Sequence, residues 1–239
     1  MPPSPARTCS RLRQNSDVSL PFRFPERPAV THWNHNEHYH GFLLRQLPTR
    51  LARALDVGCG TGTFACRLAE RADAVDAIDL SPQMIAAARL RHSSVPNLRW
   101  LVGDVLTAPL VLGGYDAVTA VASLHHLSLE AGLSRLAELV RPGGTLAVLG
   151  LAAPSAVDYA LGVAAVPADA AVGCWKALSG RAGRPDQQML IDGETVTMPM
   201  RNPDNTRAQI ADVARRLLPG ARLRRHVFYR YSLIWRHPN

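Results

Sequence analysis

The residues that decide the fold are Ala54–Ala65, with the sequence ALDVGCGTGTFA. An apolar run at 54–57 has the length of a strand, and it breaks into Gly58, Gly60 and Gly62 before a segment that predicts a helix. Glycine permits a positive φ and leaves no Cβ between the main chain and a ligand. Because the start of a helix also presents free N–H groups, the stretch predicts a ligand-binding turn between a strand and a helix.

Two kinds of cofactor suit this turn. Residues 60–65, GTGTFA, fit the loose G-x-G-x-x-G/A dinucleotide pattern, so a nicotinamide or flavin cofactor stays open on these residues alone, as does a turn without a ligand. With Asp56 just before the first glycine, however, the run reads E/D-x-G-x-G-x-G and resembles motif I of the class I S-adenosylmethionine-dependent methyltransferases. The resemblance implies that Asp56 faces a cationic ligand and that Gly58, Gly60 and Gly62 line its site.

The second predicted strand ends in Asp79, about twenty residues after the turn, where a carboxylate can accept both hydroxyls of a ribose. Ser81 as N-cap and Pro82 at the first position then predict a helix. The run at 78–89, IDLSPQMIAAAR, resembles the second motif of the same family. That resemblance implies cofactor contacts at Leu80 and at Met84, against the adenine; an ordinary core position for Met84 is the open alternative.

The third predicted strand, Leu98–Val102, leads into Asp104 and Val105. By the same resemblance, Asp104 accepts the adenine amino group and Val105 donates its backbone N–H to the adenine. An ordinary turn aspartate is the alternative reading. The series Asp56, Asp79 and Asp104 at three successive strand ends argues against that alternative.

The fourth predicted strand, Tyr115–Ala122, runs into a loop with His125 and His126. Ligands of open α/β sheets bind beyond the carboxyl ends of the strands, near the switch in strand order, so this loop should border the reacting methyl group. A neutral imidazole there can take a proton from an attacking hydroxyl or amine. One of the two histidines is expected to serve packing or hydrogen bonding instead.

Two later stretches extend the resemblance. Residues 139–150, LVRPGGTLAVLG, match the family's loop and fifth strand, which favours a methyltransferase over a dehydrogenase, and residues 218–238 resemble its closing hairpin. The implied fold is α/β, a Rossmann-like doubly wound seven-stranded sheet with the last strand antiparallel. We expect a disordered tail at 1–28, a methyltransferase domain at 29–239, and a substrate lid inserted at 153–203 between strands five and six.

The segment at 31–47, THWNHNEHYHGFLLRQL, has four histidines within nine residues and apolar side chains at roughly helical spacing. A metal site would need further carboxylate or cysteine ligands, and only Glu37 stands nearby, so a polar helix face is the preferred interpretation and no metal is predicted. The resemblance implies an N-terminal helix that folds over the cofactor. From that helix Tyr39 is taken as a cofactor contact.

Composition narrows the partners and the location. The formal charge is +8 and the pI about 10.0, but the chain has a single lysine and its arginines are scattered. A nucleic-acid partner is therefore not expected, although Arg222, Arg224 and Arg225 form a weak basic cluster. No apolar run reaches the eighteen residues of a membrane span. Four cysteines without C-x-x-C spacing read as reduced thiols of a cytoplasmic protein.

Taken together, the sequence predicts an S-adenosylmethionine-dependent methyltransferase. Its expected acceptor is a small molecule, such as a specialised metabolite, methylated at oxygen, nitrogen or carbon. Two alternatives from other classes stay open: an RNA methyltransferase, suggested by the positive charge, and an enzyme of the same fold that binds the cofactor but catalyses a non-methylating step.

Overall fold

The structure is a computed structural model, and it describes residues 35–155, 188–191, 194–197, 201–227 and 229–239. The predicted tail at 1–28 and most of the predicted lid lie outside these ranges. Within them, helices and strands alternate along the chain. The helices are α1 His35–Gln46, α2 Thr63–Ala69, α3 Pro82–Arg91, α4 Leu129–Leu139 and α5 Arg207–Leu217.

Seven strands form one sheet, and a two-stranded hairpin stands apart from it. The strands of the sheet are β1 Leu51–Val57, β2 Ala72–Asp79, β3 Leu98–Val102, β4 Tyr115–Val121, β5 Val140–Leu151, β8 Arg222–Arg225 and β9 Arg230–Arg236. The hairpin consists of β6 Gln188–Ile191 and β7 Glu194–Thr197, within the span where the lid is predicted.

The strand order is β3-β2-β1-β4-β5-β9-β8. Strands β1 to β5 pair in parallel, whereas β9 runs antiparallel to both of its neighbours. The predicted doubly wound sheet with an antiparallel last strand is therefore confirmed. The order reverses between β1 and β4, so a crevice for a ligand opens beyond the carboxyl ends of these two strands.

Each face of the sheet is covered by helices. Leu43 of α1 and Phe64 of α2 pack with Ala117 and Leu149 of the sheet on one face. Leu133 and Leu136 of α4 and Ile210 of α5 pack with Val118 and Val148 on the other. Strands buried on both faces read as nearly continuous apolar runs, which is why the sequence located them well.

Capping explains two helix starts. The Ser81 hydroxyl accepts the Met84 N–H at 3.3 Å with Pro82 at the first position of α3, as predicted. Helix α5 begins with a capping box, in which Thr206 and Gln209 each satisfy the other's backbone N–H. Strand β5 begins at Val140, within the stretch that resembles the family's loop, because Val140 pairs with Tyr115 before a register shift.

A buried ionic cluster ties four parallel strands together away from the carboxyl edge. Asp76 is 3% exposed and accepts hydrogen bonds from Arg53, Arg99 and Tyr115 at 2.6 to 2.9 Å. Burial raises the pKa of Asp76, but the bonds from Arg99, Tyr115 and Arg53 outweigh it and the net pKa is lowered. The group therefore stays ionised and joins β1, β2, β3 and β4.

The basic cluster predicted near the end of the chain lies on the edge strand β8. Arg222 and Arg224 are exposed and alternate with half-buried residues. Positive charge on an edge strand discourages pairing with the edges of other sheets, so the arrangement has a structural reason without nucleic acid. Among the helices in the described ranges, none combines the length and apolar character that crossing a membrane requires.

Candidate cofactor and acceptor site

The glycine turn after β1 has the predicted conformation. Gly58, Gly60 and Gly62 all have positive φ, at 66°, 54° and 81°. A Cβ on Gly58 would lie 2.3 Å from the Cβ of Ser123, and one on Gly62 would lie 2.3 Å from the Trp100 ring. Side chains are therefore excluded at both positions by conformation and by packing, and the turn is held close to β4 and β3.

Asp56 lies under this turn and is 1% exposed. Its Oδ1 accepts the Thr119 hydroxyl at 2.8 Å. Burial raises the pKa of Asp56 to about 7, and the charge of Asp79 adds to the rise, while the hydrogen bonds from Thr119 and the Ala65 backbone oppose it. A cation bound nearby would favour the ionised form, which suits the predicted cationic ligand.

Asp79 joins the turn to the start of α3. Its Oδ2 accepts the Gly60 N–H at 2.8 Å and its Oδ1 accepts the Ser81 N–H at 2.9 Å. Each carboxylate oxygen has a further lone pair, so Asp79 can also accept ligand hydroxyls. Leu80 follows with 72% exposure at the same edge, whereas Met84 is 2% exposed inside α3. Contacts of Leu80 and Met84 with the cofactor stay predictions.

Asp104 stands beside Asp79 because β3 pairs with β2. Val102 lies opposite Asp79, and the Gly103 N–H donates to the Asp79 carbonyl at 2.9 Å. The Asp104 Oδ1 accepts the Leu106 N–H at 2.9 Å, so its side chain fixes the turn after β3. Val105 is 4% exposed and belongs to the core. The predicted acids thus lie at the ends of three adjacent strands.

The loop after β4 is shaped by a backbone outlier at Ala122, which has a φ of 53°. Such a conformation is uncommon for a residue other than glycine and concentrates at functional sites. The next residue, Ser123, donates its hydroxyl to the Val57 carbonyl at 2.6 Å and so links the ends of β4 and β1. Thr119, which donates to Asp56, and Ser123, which packs against the glycine turn, were not predicted as site residues.

His125 is half-buried and His126 exposed, with ring centroids 4.2 Å apart. Burial, followed by the charges of His126 and Arg201, lowers the pKa of His125 to about 4. Burial and Arg201 also lower the pKa of His126. His125 Nδ1 is buried and has no hydrogen-bond partner among the described residues. His125 is therefore a neutral imidazole with one ring nitrogen that is unsatisfied within the described residues.

His125 lines a narrow crevice beside the ends of β4, β5 and β9. Its walls are Leu124, His125, Leu129, Leu151, Pro203, Asn205, Ile210 and Tyr231, most of them apolar. An isolated parallel bridge joins Ala153 to Thr206, and the Ala153 N–H donates to the Asn205 carbonyl at 2.8 Å. The two ends of the predicted lid are thereby fastened together next to His125.

Helix α1 contacts both the β8–β9 turn and helix α2. The Tyr39 ring lies 4.9 Å from that of His226, and Asn36 accepts two hydrogen bonds from Arg230, at 3.0 and 3.1 Å. Tyr39 therefore faces the β8–β9 turn, and its predicted cofactor contact stays a prediction. His40, the next residue, points to α2, where its ring lies 4.8 Å from Phe64. His226 and Arg230 were missed because they lie nearly two hundred residues away in sequence.

The His, Cys, Asp and Glu side chains that the structure describes form no group of three or more able to hold a metal ion. Part of the histidine-rich segment, including His32, lies outside the described residues, so the absence of a metal stays a prediction.

The fold and these residues define a class of site. A doubly wound sheet presents acids at successive strand ends around a glycine turn, which suits a nucleoside-containing, cationic and hydroxyl-rich ligand. Comparison with known proteins agrees. Residues 54–144 match a methyltransferase domain. An uncharacterised methyltransferase of Mycobacterium tuberculosis (strain ATCC 25618 / H37Rv) is 36% identical over 207 residues, which cover 86% of this chain and 98% of that relative.

Two further matches agree in fold or sequence. The demethylmenaquinone methyltransferase of Beutenbergia cavernae is 38% identical over 105 residues, 43% of this chain and 42% of that enzyme. The N-methyltransferase NodS from Bradyrhizobium japonicum WM9, in complex with S-adenosyl-L-homocysteine, has a TM-score of 0.55 at 15% identity and covers 85% of this chain and 87% of its own. The chain belongs to the class I S-adenosylmethionine-dependent methyltransferase family. It is a methyltransferase, and S-adenosylmethionine is its cofactor.

Proposed function

We propose that this methyltransferase modifies a small organic molecule, at an oxygen, nitrogen or carbon atom, beside the carboxyl ends of β4 and β5. The observation that carries the proposal is the position of His125, a neutral imidazole among mostly apolar side chains at the base of the predicted lid. Small-molecule sites are typically apolar concavities with a few converging polar groups. The name of the B. cavernae relative, a methyltransferase of demethylmenaquinone, supports the same acceptor class.

Each site residue has a proposed part. Asp79 holds the ribose hydroxyls, Asp104 and the Val105 N–H hold the adenine, and Asp56 faces the positive end of the cofactor. When bound, S-adenosylmethionine supplies a methyl group on an activated sulfonium, which passes to the acceptor and leaves S-adenosylhomocysteine. The protein's remaining tasks are to align the acceptor and, where the nucleophile is protonated, to receive its proton.

His125 is the preferred base, with His126 second. Its Nδ1 has no partner in the described part of the chain, and its low pKa keeps the ring neutral at physiological pH. A base of low pKa is weak, so it suits a nucleophile whose proton becomes acidic as the methyl group is transferred. No observation favours an RNA acceptor or a non-methylating reaction.

The first experiment identifies the acceptor class. Cell extract would be separated into small-molecule, RNA and protein fractions, and each incubated with the enzyme and methyl-labelled S-adenosylmethionine. We expect enzyme-dependent label in the small-molecule fraction. Label confined to RNA, and lost after ribonuclease treatment, would contradict the proposal, as would label confined to protein.

With the acceptor in hand, His125→Ala should lower kcat about a hundredfold, in the range typical of a lost general base, while the Kd for S-adenosylmethionine stays within twofold. In the unaltered enzyme, kcat at saturating cofactor should hold steady from pH 8 to about pH 5.5. It should fall as the pH approaches about 4, because His125 then becomes protonated and can no longer accept a proton.

His237 supplies the matched control. It follows β9 at the opposite edge of the sheet, where its N–H donates to the Gly144 carbonyl at 2.9 Å. His237→Ala should leave kcat within twofold. If His125→Ala also retained full activity, His125 would have no part in the proton transfer, and His126→Ala would decide whether its neighbour does.

A further inference from the structure

The histidine-rich helix α1 contains a buried imidazole that the proposed function does not use. His40 is 4% exposed, whereas His38 on the same helix is exposed. His40 Nδ1 is buried and makes no hydrogen bond within the described part of the chain. Leaving a buried polar atom unpaired costs roughly 1 to 3 kcal/mol, and native proteins rarely do so without a reason. A ligand group that reaches this nitrogen would supply one.

Packing fixes where the ring lies. The His40 and Phe64 rings meet edge to face with centroids 4.8 Å apart, and Phe64 is in the first turn of α2. Leu43, one turn further along α1, packs in the same buried cluster as Phe64 and Leu68. His40 is thus held beside the first turn of α2, directly after Gly62 ends the glycine turn.

The order of the strands indicates which end of the cofactor lies near His40. Asp104 follows β3 and Asp79 ends β2, so the adenine and ribose proposed for them occupy one side of the carboxyl edge. The next strand is β1, with the glycine turn and Asp56. The methionine end of the cofactor, which carries an ammonium and a carboxylate, must therefore extend toward β1 and the start of α2.

The two charges of that end need different partners. Asp56 is an acid and suits the ammonium. The carboxylate needs a hydrogen-bond donor, and close to the start of α2 the candidates include His40, the nearby cation Arg67 and the Thr63 hydroxyl, which is also buried without a partner among the described residues. A neutral imidazole has one N–H, so the tautomer protonated at Nδ1 can donate to a carboxylate oxygen.

We propose that His40 binds the cofactor's carboxylate through its Nδ1–H and thereby distinguishes ligands that carry the amino-acid end from those that lack it. The assignment rests on the proposed placement of adenosine at Asp79 and Asp104. Burial, and then the charge of Arg67, lowers the pKa of His40 to about 4, so the donor is neutral near pH 7. His40 is a binding residue that takes no part in the proton transfer proposed for His125.

Calorimetry with two ligands tests the proposal without an acceptor. S-adenosylhomocysteine has the amino-acid end, and 5′-methylthioadenosine shares the adenosine and thioether but lacks that end. His40→Phe keeps an aromatic ring against Phe64 and removes the nitrogen. We expect the variant to bind S-adenosylhomocysteine about tenfold more weakly and 5′-methylthioadenosine as tightly as the unaltered protein.

His38→Phe is the control on the same helix, and it should change neither affinity. Should phenylalanine not be accommodated, His40→Leu repeats the measurement with a smaller apolar side chain. Equal losses for both ligands would mean that His40 acts through packing, and an unchanged affinity for S-adenosylhomocysteine would mean that its nitrogen meets no ligand. Either result overturns the proposal.

The same measurement separates this proposal from the placement on which it rests. If adenosine does lie at Asp79, then Asp79→Ala weakens both ligands, whatever His40 does. If Asp79→Ala changes neither affinity, the placement itself is wrong and the assignment of His40 falls with it.

Discussion

Asp79→Ala is expected to lower the affinity for S-adenosylmethionine about a hundredfold, which corresponds to roughly 2.7 kcal/mol. Hydrogen bonds to a charged acceptor contribute about 1.5 to 3 kcal/mol each, and the ribose brings two hydroxyls to this carboxylate. The substitution also removes the acceptor for the Gly60 and Ser81 N–H groups, which joins the glycine turn to α3. Titration calorimetry at constant pH measures the change directly.

A carboxylate elsewhere on β2 gives the control. Asp73 is 72% exposed and pairs only at the surface with Arg50, at 3.7 Å. Asp73→Ala should leave the cofactor affinity within twofold, because an exposed ion pair contributes little. Denaturant unfolding of Asp79→Ala shows how much of the loss comes from a loosened turn. A Kd within threefold of the original would remove Asp79 from the ribose site.

The parts of the site that the sequence predicted are the parts encoded locally. A strand, an acid and a turn follow one another within a few residues, as from Ala54 to Gly62. Strands buried on both faces are continuous apolar runs, so the end of the run indicates the end of the strand. The carboxyl ends of β1 to β4 therefore agree with the prediction within about one residue, although β1 begins three residues earlier than predicted. Parallel pairing then brought Asp79 and Asp104 to one edge, since carboxyl ends of parallel strands lie together.

What the sequence did not predict depends on contacts between distant residues. The partner of Asp56 is Thr119, sixty-three residues later, and nothing in the local pattern of β4 marks its hydroxyl as part of the site. The face that α1 presents to the sheet was equally hidden. The cofactor contact of Tyr39 stays a prediction, but the sequence did not indicate that His226 of the β8–β9 turn meets its ring or that His40 faces α2.

The sequence also did not predict how deeply Asp56 is buried, and the second large prediction depends on that burial. The Asp56 pKa of about 7, against an ordinary value of 3.8, means that the folded protein keeps a proton that the unfolded chain has lost. The folded state is therefore favoured at low pH, and this contribution is lost as the pH rises from about 4 to about 7. Three pKa units correspond to roughly 4 kcal/mol.

Asp56→Asn should consequently stabilise the protein while weakening its function. An amide is neutral at every pH, so the variant escapes the loss, and its advantage in the free energy of unfolding should grow between pH 4 and 7 and stay constant above. At pH 8 we expect a gain of roughly 2 kcal/mol, about half of the linkage value, because the amide N–H₂ needs partners of its own. Denaturant unfolding at several pH values measures it.

Binding should respond in the opposite direction. The cofactor's positive charges favour ionised Asp56, so below about pH 7 the unaltered enzyme must release a proton to bind, and its affinity should rise with pH between 5.5 and 7.5. In Asp56→Asn the affinity should be at least tenfold lower at pH 7.5 and should lose this slope. The uncharged 5′-methylthioadenosine should bind both proteins alike, which separates the loss of charge from a distorted turn.

Asp116→Asn is the matched substitution, since Asp116 is also buried, at 7% exposure, but pairs with Arg141 and accepts the Arg53 N–H at 2.7 Å. Removing its charge leaves these donors without a carboxylate, so this variant should be less stable than the unaltered protein at pH 8. If both asparagine variants lost stability equally, Asp56 would be an ordinary ionised carboxylate. If Asp56→Asn raised the free energy of unfolding at pH 8 and Asp116→Asn lowered it, ionised Asp56 would be shown to destabilise the fold. That ionised form is the one that a bound cation favours.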